Sequence, residues 1–212
     1  HMDEEMVGAL KFILSIVYSQ SLGTKEPLWA YLVAAAGGGK TALLSCLGAY
    51  RRAVFRSTVT PHALVSGFKA DTDPSLLPQL SGKTFVIKDF TTTLSGPEFD
   101  FERVMAILRD AFDGEFSQSY GNAVVREYKR LHFSLVAGVT PAIHAKPMAM
   151  MGERFLKFCM RTGDVNARMD RLIASMRNPM ADAEMEKALG EATNKFLSRR
   201  VNETDIPLPE GE

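Results

Sequence analysis

Residues 28–41 read Leu-Trp-Ala-Tyr-Leu-Val-Ala-Ala-Ala-Gly-Gly-Gly-Lys-Thr, an apolar run followed by three glycines, a lysine and a threonine. The apolar run, 28–34, is long enough for a buried strand. Helical character begins at residue 41 and continues to residue 52. Glycines between a strand and a helix let backbone N–H groups turn inward onto the oxygens of a phosphate. The stretch therefore predicts a phosphate-binding loop in an α/β domain.

The side chains that follow the glycines suit a nucleotide. A lysine is needed for the β- and γ-phosphates and a hydroxyl for Mg²⁺, and Lys40 and Thr41 supply them. The predicted nucleotide-binding residues are Gly37, Gly38, Gly39, Lys40, Thr41 and Ala42. The pattern G-x-x-x-x-G-K-[ST] would begin with a glycine at position 34, where this chain has Ala34. A glycine-rich turn that only links a strand to a helix is the alternative.

A second, acidic ligand for Mg²⁺ is expected at the tip of a neighbouring strand. Residues 84–89, Thr-Phe-Val-Ile-Lys-Asp, form such a strand, and Asp89 ends it. Asp89 and Thr41 are therefore the predicted Mg²⁺ residues. ATPases of this kind carry a glutamate directly after that aspartate, whereas this chain has Phe90. Either hydrolysis is weak or another acid activates the attacking water; the candidates are Glu98, Glu102, Glu115 and Glu153.

Two more polar residues stand at strand boundaries. The apolar strand predicted at 131–137 is followed closely by Thr140. If this strand neighbours the other two, Thr140 lies beside the γ-phosphate; an ordinary turn residue is the alternative. Arg154 directly precedes the last predicted strand, 155–160. Ring-forming ATPases place at this point the arginine that reaches the next subunit's site, and a solvated surface arginine is the alternative.

A hairpin is predicted just before the strand at 131–137. Residues 115–120 and 123–130 flank Gly121-Asn122, which is a two-residue turn signal. The candidate DNA contacts are Tyr120, Arg126, Lys129 and Arg130. The ring would stack on a base and the cations would meet phosphates. Two glutamates in the same hairpin cancel part of this charge, so an ordinary edge hairpin is the alternative.

The remaining pattern alternates strands with helices. Helices are predicted at 3–20, 41–52, 61–65 and 101–112, and a further strand at 54–59. This alternation predicts a parallel-sheet core flanked by helices and followed by a small helical piece. In that piece one helix presents Met169, Leu172, Ile173 and Met176, and a second presents Met185, Leu189, Ala192 and Phe196. The predicted division is an ATPase core at 3–160, a lid-like helical subdomain at 161–205, and a linker at 206–212 to a further C-terminal region.

The charge balance, the cysteines and the apolar runs of the sequence bear on which kinds of partner the protein binds. Lys plus Arg and Asp plus Glu number 25 each among 212 residues. This balance argues against a protein that coats nucleic acid through bulk charge, but it leaves room for a local basic groove. The two cysteines, Cys46 and Cys159, fit no metal-site spacing. No apolar run approaches the ~20 residues needed to span a bilayer. We expect a cytoplasmic protein with no membrane partner.

Four phrases carry a resemblance to a known family. They are Val-Ile-Lys-Asp-Phe-Thr at 86–91, Leu-Arg-Asp-Ala-Phe-Asp-Gly at 108–114, Ala-Gly-Val-Thr-Pro at 137–141 and Gly-Glu-Arg-Phe-Leu at 152–156. In this order they resemble phrases of ATPases encoded by bacteriophages and prophages, which are similar to the AAA+ class and to viral hexameric helicases. The likeness spans residues 5–160.

The resemblance implies both a fold and a set of roles. The fold is an AAA+ core that binds ATP and Mg²⁺ and assembles into a homo-oligomeric ring or filament. The resemblance also implies that the ATPase acts on DNA, in phage replication or recombination, within the bacterial host cytoplasm. By position, Lys40 and Thr41 become the phosphate and Mg²⁺ residues and Asp89 the second acid. Thr140 becomes the sensor and Arg154 the arginine finger. In hexameric helicases, an insertion at the place of the predicted hairpin projects into the central channel.

Three functions agree with these features. The first is a DNA-associated oligomeric ATPase, either a helicase-like motor or a loader. The second is a nucleotide-binding switch or annealing factor that assembles on DNA and hydrolyses ATP weakly. The third is a monomeric kinase of a small substrate, in which Arg161, Arg168 and Arg171 would serve a lid. The hairpin and the Gly-Glu-Arg-Phe phrase have no role in a kinase.

Overall fold

The computed structural model describes residues 4–145, 154–161 and 179–199 of the chain. The strands in these ranges are β1 Trp29–Val33, β2 Ala53–Arg56, β3 Thr84–Ile87, β4 Glu115–Ser119, β5 Val125–Lys129, β6 Ser134–Val139 and β7 Phe155–Cys159. The α-helices are α1 Glu4–Ser19, α2 Lys40–Ser45, α3 Pro61–Leu64, α4 Thr91–Ser95, α5 Glu98–Phe112 and α6 Pro179–Leu197. Short 3₁₀ helices span Gln20–Leu22, Leu77–Leu80 and Pro141–Ala145.

A parallel sheet in the order β2-β3-β6-β1-β7 forms the centre of the described structure. β1 lies between β6 and β7, and all of its residues are buried. β3 pairs with β2 on one side and with β6 on the other. A strand that is buried on both faces reads as a continuous apolar run, as the sequence at 28–34 does. The predicted parallel-sheet core flanked by helices is confirmed.

The two faces of the sheet carry separate apolar cores. One core contains side chains from α3, α4 and α5, and the other contains side chains from α1, α2 and α6. α5 illustrates the cause, because Phe101, Val104 and Leu108 recur at helical spacing and are all buried. Two acids in its first turn complement the positive end of the helix. No helix within the described ranges has both the length and the apolar character that a membrane crossing requires.

Several elements differ in extent from their predictions, and two of these differences concern elements that border the glycine loop or Thr140. The helix predicted at 41–52 ends at Ser45, because the following N–H groups of Leu47, Gly48 and Tyr50 bond to carbonyls three residues back, as in successive turns. The strand predicted at 131–137 runs instead from Ser134 to Val139. It starts late because the Leu131 N–H donates to the Gly114 carbonyl, outside the sheet. Its later end places Thr140 directly after β6.

The described C-terminal helix, α6, packs against α1 and α2. Its predicted apolar face is wrong in part, since Met185 is 53% exposed and Phe196 is 46% exposed. The buried residues are instead Gly190, Thr193 and Leu197. The buried face includes Gly190, where a Cβ would lie 3.8 Å from the carbonyl oxygen of Cys46, in the turn after α2. The helix predicted around 169–176 and the linker at 206–212 lie outside the described residues.

The turn of the β4–β5 hairpin is longer than predicted. The last cross-strand pair is Ser119 with Val125, and the Tyr120 N–H donates to the Val124 carbonyl at 2.8 Å. Residues 121–123 therefore form the turn, and Ala123 has a φ of 63°. A left-handed last residue is typical of three-residue hairpin loops. The two-residue turn predicted at Gly121-Asn122 is wrong.

We expect Ala123→Gly to stabilise the protein by about 0.5–1 kcal/mol, because a left-handed conformation costs a residue with a Cβ roughly 1–2 kcal/mol and the flexibility of glycine in the unfolded chain offsets part of that gain. Urea unfolding measures the change. The matched control is Ala188→Gly at an exposed position of α6, which should destabilise by about 0.5–1 kcal/mol. Equal destabilisation by both substitutions would contradict the turn geometry.

Candidate functional site

The glycine loop follows β1 at the carboxyl edge of the sheet. Gly37 and Gly39 have φ values of 70° and 82°, in the left-handed region that favours glycine. A Cβ on Gly38 would lie 2.9 Å from the carbonyl oxygen of Ala35, so a larger residue would force a shift of the backbone. The Gly38 N–H donates to the same oxygen at 3.0 Å. The path of the backbone therefore calls for glycine at all three positions.

Lys40 folds back over this loop. Its Nζ donates to the carbonyl oxygens of Ala34 at 2.6 Å and Ala35 at 2.9 Å. Burial lowers the pKa of Lys40, and the negative charge of Asp89 opposes that effect. Asp89 is therefore near enough for its field to act on the ammonium. Lys40 forms no ion pair with the residues that the structure describes, so its charge is available to an anion.

The strand order brings polar positions together at the carboxyl edge. β6 lies between β1 and β3, so Thr140, which follows β6, lies between the ends of the other two strands. The Ala34 N–H donates to the Val139 carbonyl at 3.1 Å, and the Phe90 N–H donates to the Gly138 carbonyl at 2.9 Å. These bonds hold both flanking ends against β6. The strand before Thr140 therefore neighbours both β1 and β3, as the predicted position of Thr140 beside the γ-phosphate requires.

Asp89 lies at the same edge of the sheet as the glycine loop, on the far side of β6. β3 is separated from β1 by β6, contrary to the prediction that the acid ends a neighbouring strand. Two strand spacings amount to roughly 10 Å. The Asp89 carboxylate is exposed; Oδ1 accepts from the Thr91 N–H at 3.0 Å, and Oδ2 accepts from the Thr92 hydroxyl at 3.0 Å. Both bonds fix the carboxylate at the start of α4.

Thr91 and Thr92 belong to the site, although the sequence predicted no role for either side chain. The Thr91 hydroxyl oxygen accepts from the Thr140 N–H at 2.9 Å. Thr91 therefore connects Asp89 with Thr140 through its backbone on one side and its hydroxyl on the other. The available signal was an aspartate followed two and three residues later by threonines, a spacing that favours local side-chain hydrogen bonds.

Phe90 belongs to the core and not to the site. Its side chain is 1% exposed, and its ring stacks on that of Tyr31 with centroids 6.0 Å apart. A glutamate at this position would bury a charge among apolar groups. Of the candidate bases, Glu98 and Glu102 are exposed on α5. Glu115 lines an acidic depression with Asp110 and Asp113, and Glu153 lies outside the described residues.

The donor set fits Mg²⁺ that arrives with a phosphate. In the described part of the chain, no cluster of three or more His, Cys, Asp or Glu side chains is arranged to enclose a metal. Proteins commonly hold Mg²⁺ by one or two oxygens of their own, together with phosphate oxygens and waters. Thr41 and Asp89, both exposed, supply oxygens of this type. Since α2 has only 6 residues, attraction of the anion depends on the loop N–H groups and Lys40.

Arg154 lies at the other edge of the sheet. It precedes Phe155, which pairs with Trp29 at the start of β1, whereas the loop follows the end of β1. Five strand residues span roughly 16 Å. The Arg154 Nη2 donates to both carboxylate oxygens of Asp113, at 3.1 and 3.0 Å, and the guanidinium lies 5.5 Å from the Phe112 ring centroid. Arg154 therefore does not reach the loop of its own chain.

The hairpin residues predicted to contact DNA divide into two pairs, and the first pair faces the protein. The Tyr120 hydroxyl donates to the Val65 carbonyl at 3.2 Å. The Arg126 guanidinium donates to two carbonyls of the segment 65–73, at 2.9 and 2.8 Å, and pairs with Asp73 at 3.3 Å. These side chains fasten the hairpin to that segment. Contacts within the protein therefore explain their conformations, and no contact with DNA is needed.

The second pair lies at the base of the hairpin, away from the turn. The Lys129 ammonium forms an ion pair with Glu127 at 2.9 Å. Arg130 is exposed, directly after β5, and has a φ of 59°. The hairpin therefore does not gather the four predicted residues at its tip.

Comparisons with known proteins assign no family to this chain. No protein-family model matches the sequence, and no curated protein matches it. The functional conclusion therefore depends on the geometry of the site.

Proposed function

We propose that this chain is the ATP-binding domain of a phage-type AAA+ ATPase that acts on DNA as an oligomer. The glycine loop carries the proposal, because left-handed Gly37 and Gly39, a closely packed Gly38 and the Lys40 ammonium converge at the end of a buried parallel strand. Open α/β sheets bind ligands in crevices at the carboxyl ends of their strands. The order of strands agrees, since β6 holds the ends of β1 and β3 at one edge.

Each residue of the site has a distinct task in this proposal. Lys40 exchanges two loop carbonyls for β- and γ-phosphate oxygens, which accept a stronger hydrogen bond because they are charged. Thr41 and Asp89 would hold Mg²⁺ through their side-chain oxygens. Thr140 follows β6, between the ends of β1 and β3, and would bind the terminal phosphate, while Thr91 keeps the Thr140 backbone in place. When bound, Mg²⁺ neutralises charge on the phosphates.

Phe90 favours a second candidate function, a DNA-associated switch or annealing factor with weak hydrolysis. Position 90 holds a phenylalanine of the core, so no carboxylate directly follows Asp89 to activate a water. Unless Glu98 or Glu102 takes this task, nucleotide binding would control assembly on DNA without fast turnover. Binding is common to both functions, so it is the property to test first.

We expect Lys40→Ala to lower the affinity for a non-hydrolysable ATP analogue with Mg²⁺ by about ten- to 150-fold, since a hydrogen bond to a charged group contributes about 1.5–3 kcal/mol. Calorimetric titration measures the affinity. Lys11→Ala, at an exposed position of α1, is the control and should bind as wild type does. Equal affinities in a folded Lys40→Ala variant would sink the proposal.

The position of Arg154 suits a contact with the nucleotide that a neighbouring subunit binds. It lies at the amino edge of the sheet, whereas the glycine loop lies at the carboxyl edge. A head-to-tail contact between subunits brings different surfaces of the same protein together. Its ion pair with Asp113 is open to solvent on the Asp113 side, which is 61% exposed, and solvent weakens it, so a more highly charged triphosphate can replace the carboxylate.

A mixture of two inactive variants tests whether Arg154 completes the nucleotide site of a neighbouring subunit. Arg154→Ala and Lys40→Ala should each lose ATP hydrolysis, and the loss of a finger costs about 10³–10⁵ in rate. Mixed together, they form some interfaces with an intact loop on one side and an intact arginine on the other, so turnover should partly return. In the control, Lys40→Ala with Asp89→Asn, every subunit has a damaged nucleotide site and the mixture should stay inactive. An inactive Arg154→Ala and Lys40→Ala mixture, with wild type active and oligomeric, would exclude a finger in trans.

A further inference from the structure

A group of cations lies at the amino edge of the sheet, opposite the glycine loop. Arg51 and Arg52 directly precede β2, Lys83 directly precedes β3, and Arg130 follows β5 on the way into β6. We call these four residues the amino-edge cations. Since β2, β3 and β6 are consecutive in the sheet, the starts of these strands lie side by side at intervals of roughly 4.8 Å.

Backbone hydrogen bonds hold the amino-edge cations in place. The Arg52 carbonyl accepts from the first residue of β3 at 2.9 Å, and the Lys83 carbonyl accepts from the first residue of β6 at 3.2 Å. The Arg130 carbonyl accepts from the Ser81 hydroxyl at 3.3 Å. Arg130 also has a φ of 59°, and such a conformation persists in a residue with a Cβ only where the surroundings impose it. The charges are thus presented from a fixed backbone.

The amino-edge cations differ from neighbouring basic residues because they lack acidic partners. Arg126, Lys129 and Arg154 each form an ion pair. None of the four amino-edge cations does so with a residue that the structure describes. The segments that carry them, 46–52, 81–83 and 130–133, contain no acid. The glutamates at the base of the hairpin act on Lys129.

The chemistry of this surface fits a phosphate backbone. Arg51, Arg52 and Arg130 are exposed, and Lys83 is half-buried. No large apolar side chain of the three segments is among the exposed ones of the described structure. The surface therefore offers neither an aromatic ring on which bases stack nor an apolar anchor for a bilayer interface. Cations alone bind nucleic acid through its phosphates, without reading its sequence.

We infer that the amino-edge cations bind the phosphate backbone of nucleic acid without sequence preference. This inference rests on the DNA-related part of the proposed function and relocates the contact. The tip of the hairpin holds the segment 65–73, whereas Arg130 at its base joins cations from two other loops. Nucleic acid then lies at one edge of the sheet and nucleotide at the other.

Salt-dependent binding of labelled DNA tests the inference. One variant replaces the amino-edge cations, Arg51→Gln, Arg52→Gln, Lys83→Gln and Arg130→Asn, with asparagine chosen because it tolerates the left-handed conformation. The control removes the same number of charges from exposed positions elsewhere, Lys11→Gln, Lys69→Gln, Lys187→Gln and Lys195→Gln. Fluorescence anisotropy gives the affinity for random-sequence duplex and single strands over a series of salt concentrations.

The slope of log affinity against log salt is the deciding quantity. Each phosphate contact contributes about 0.9 to this slope on duplex DNA, so the amino-edge variant should lose about 3–4 units and the control none. A wild-type slope in the amino-edge variant would overturn the inference. So would wild-type protein that binds no DNA, or that prefers anionic lipid vesicles at equal phosphate concentration.

Titration of the same preparations with the ATP analogue separates this inference from the proposed function. The amino-edge variant should bind the analogue as wild type does, because its loop is unchanged, and this result also shows that it is folded. Wild-type protein that binds DNA through these cations but does not bind the analogue would overturn the proposed function alone. Wild-type protein that binds the analogue but no DNA would overturn this inference.

Discussion

The candidate site depends on the pairing of β6 with β1 on one side and with β3 on the other. At Gly138 the end of β3 comes so close that a Cβ would lie 2.7 Å from the Lys88 carbonyl oxygen. This approach lets the Phe90 N–H bond to the Gly138 carbonyl, and the bond directs Asp89 to the edge of the sheet. A larger residue at position 138 would push β3 away from β6 and move Asp89 away from the glycine loop.

A parallel sheet has two chemically different edges, and this chain carries different side chains at each. The carboxyl edge gathers the glycine loop, Thr140 and Asp89, which together suit a phosphate and its metal ion. The amino edge carries Arg154 and the amino-edge cations, which are too far from the loop to serve the same nucleotide. In the proposed function, the amino edge therefore serves macromolecules, a neighbouring subunit through Arg154 and nucleic acid through the other cations.

The features that could be predicted from the sequence are local ones. The glycine loop and the strand that ends in Asp89 are contiguous stretches, and their apolar runs follow from burial on both faces of a sheet. The orientations of Tyr120 and Arg126 could not be predicted, because their partners lie in the segment 65–73, which is distant in sequence. The amino-edge cations were missed for the same reason, since only the strand order brings three separate loops together.

If the glycine loop binds a triphosphate as proposed, the Lys40 ammonium leaves its two loop carbonyls for phosphate oxygens. The most direct measurement is an NMR titration of the Lys40 side chain with pH, with and without Mg²⁺ and a non-hydrolysable ATP analogue. Burial holds the pKa of Lys40 below its ordinary value in the protein alone. An anion at the ammonium favours the charged form. Saturation with the analogue should therefore raise the pKa of Lys40. A bound analogue that leaves the titration of Lys40 unchanged would contradict it, because the nucleotide would then lie elsewhere.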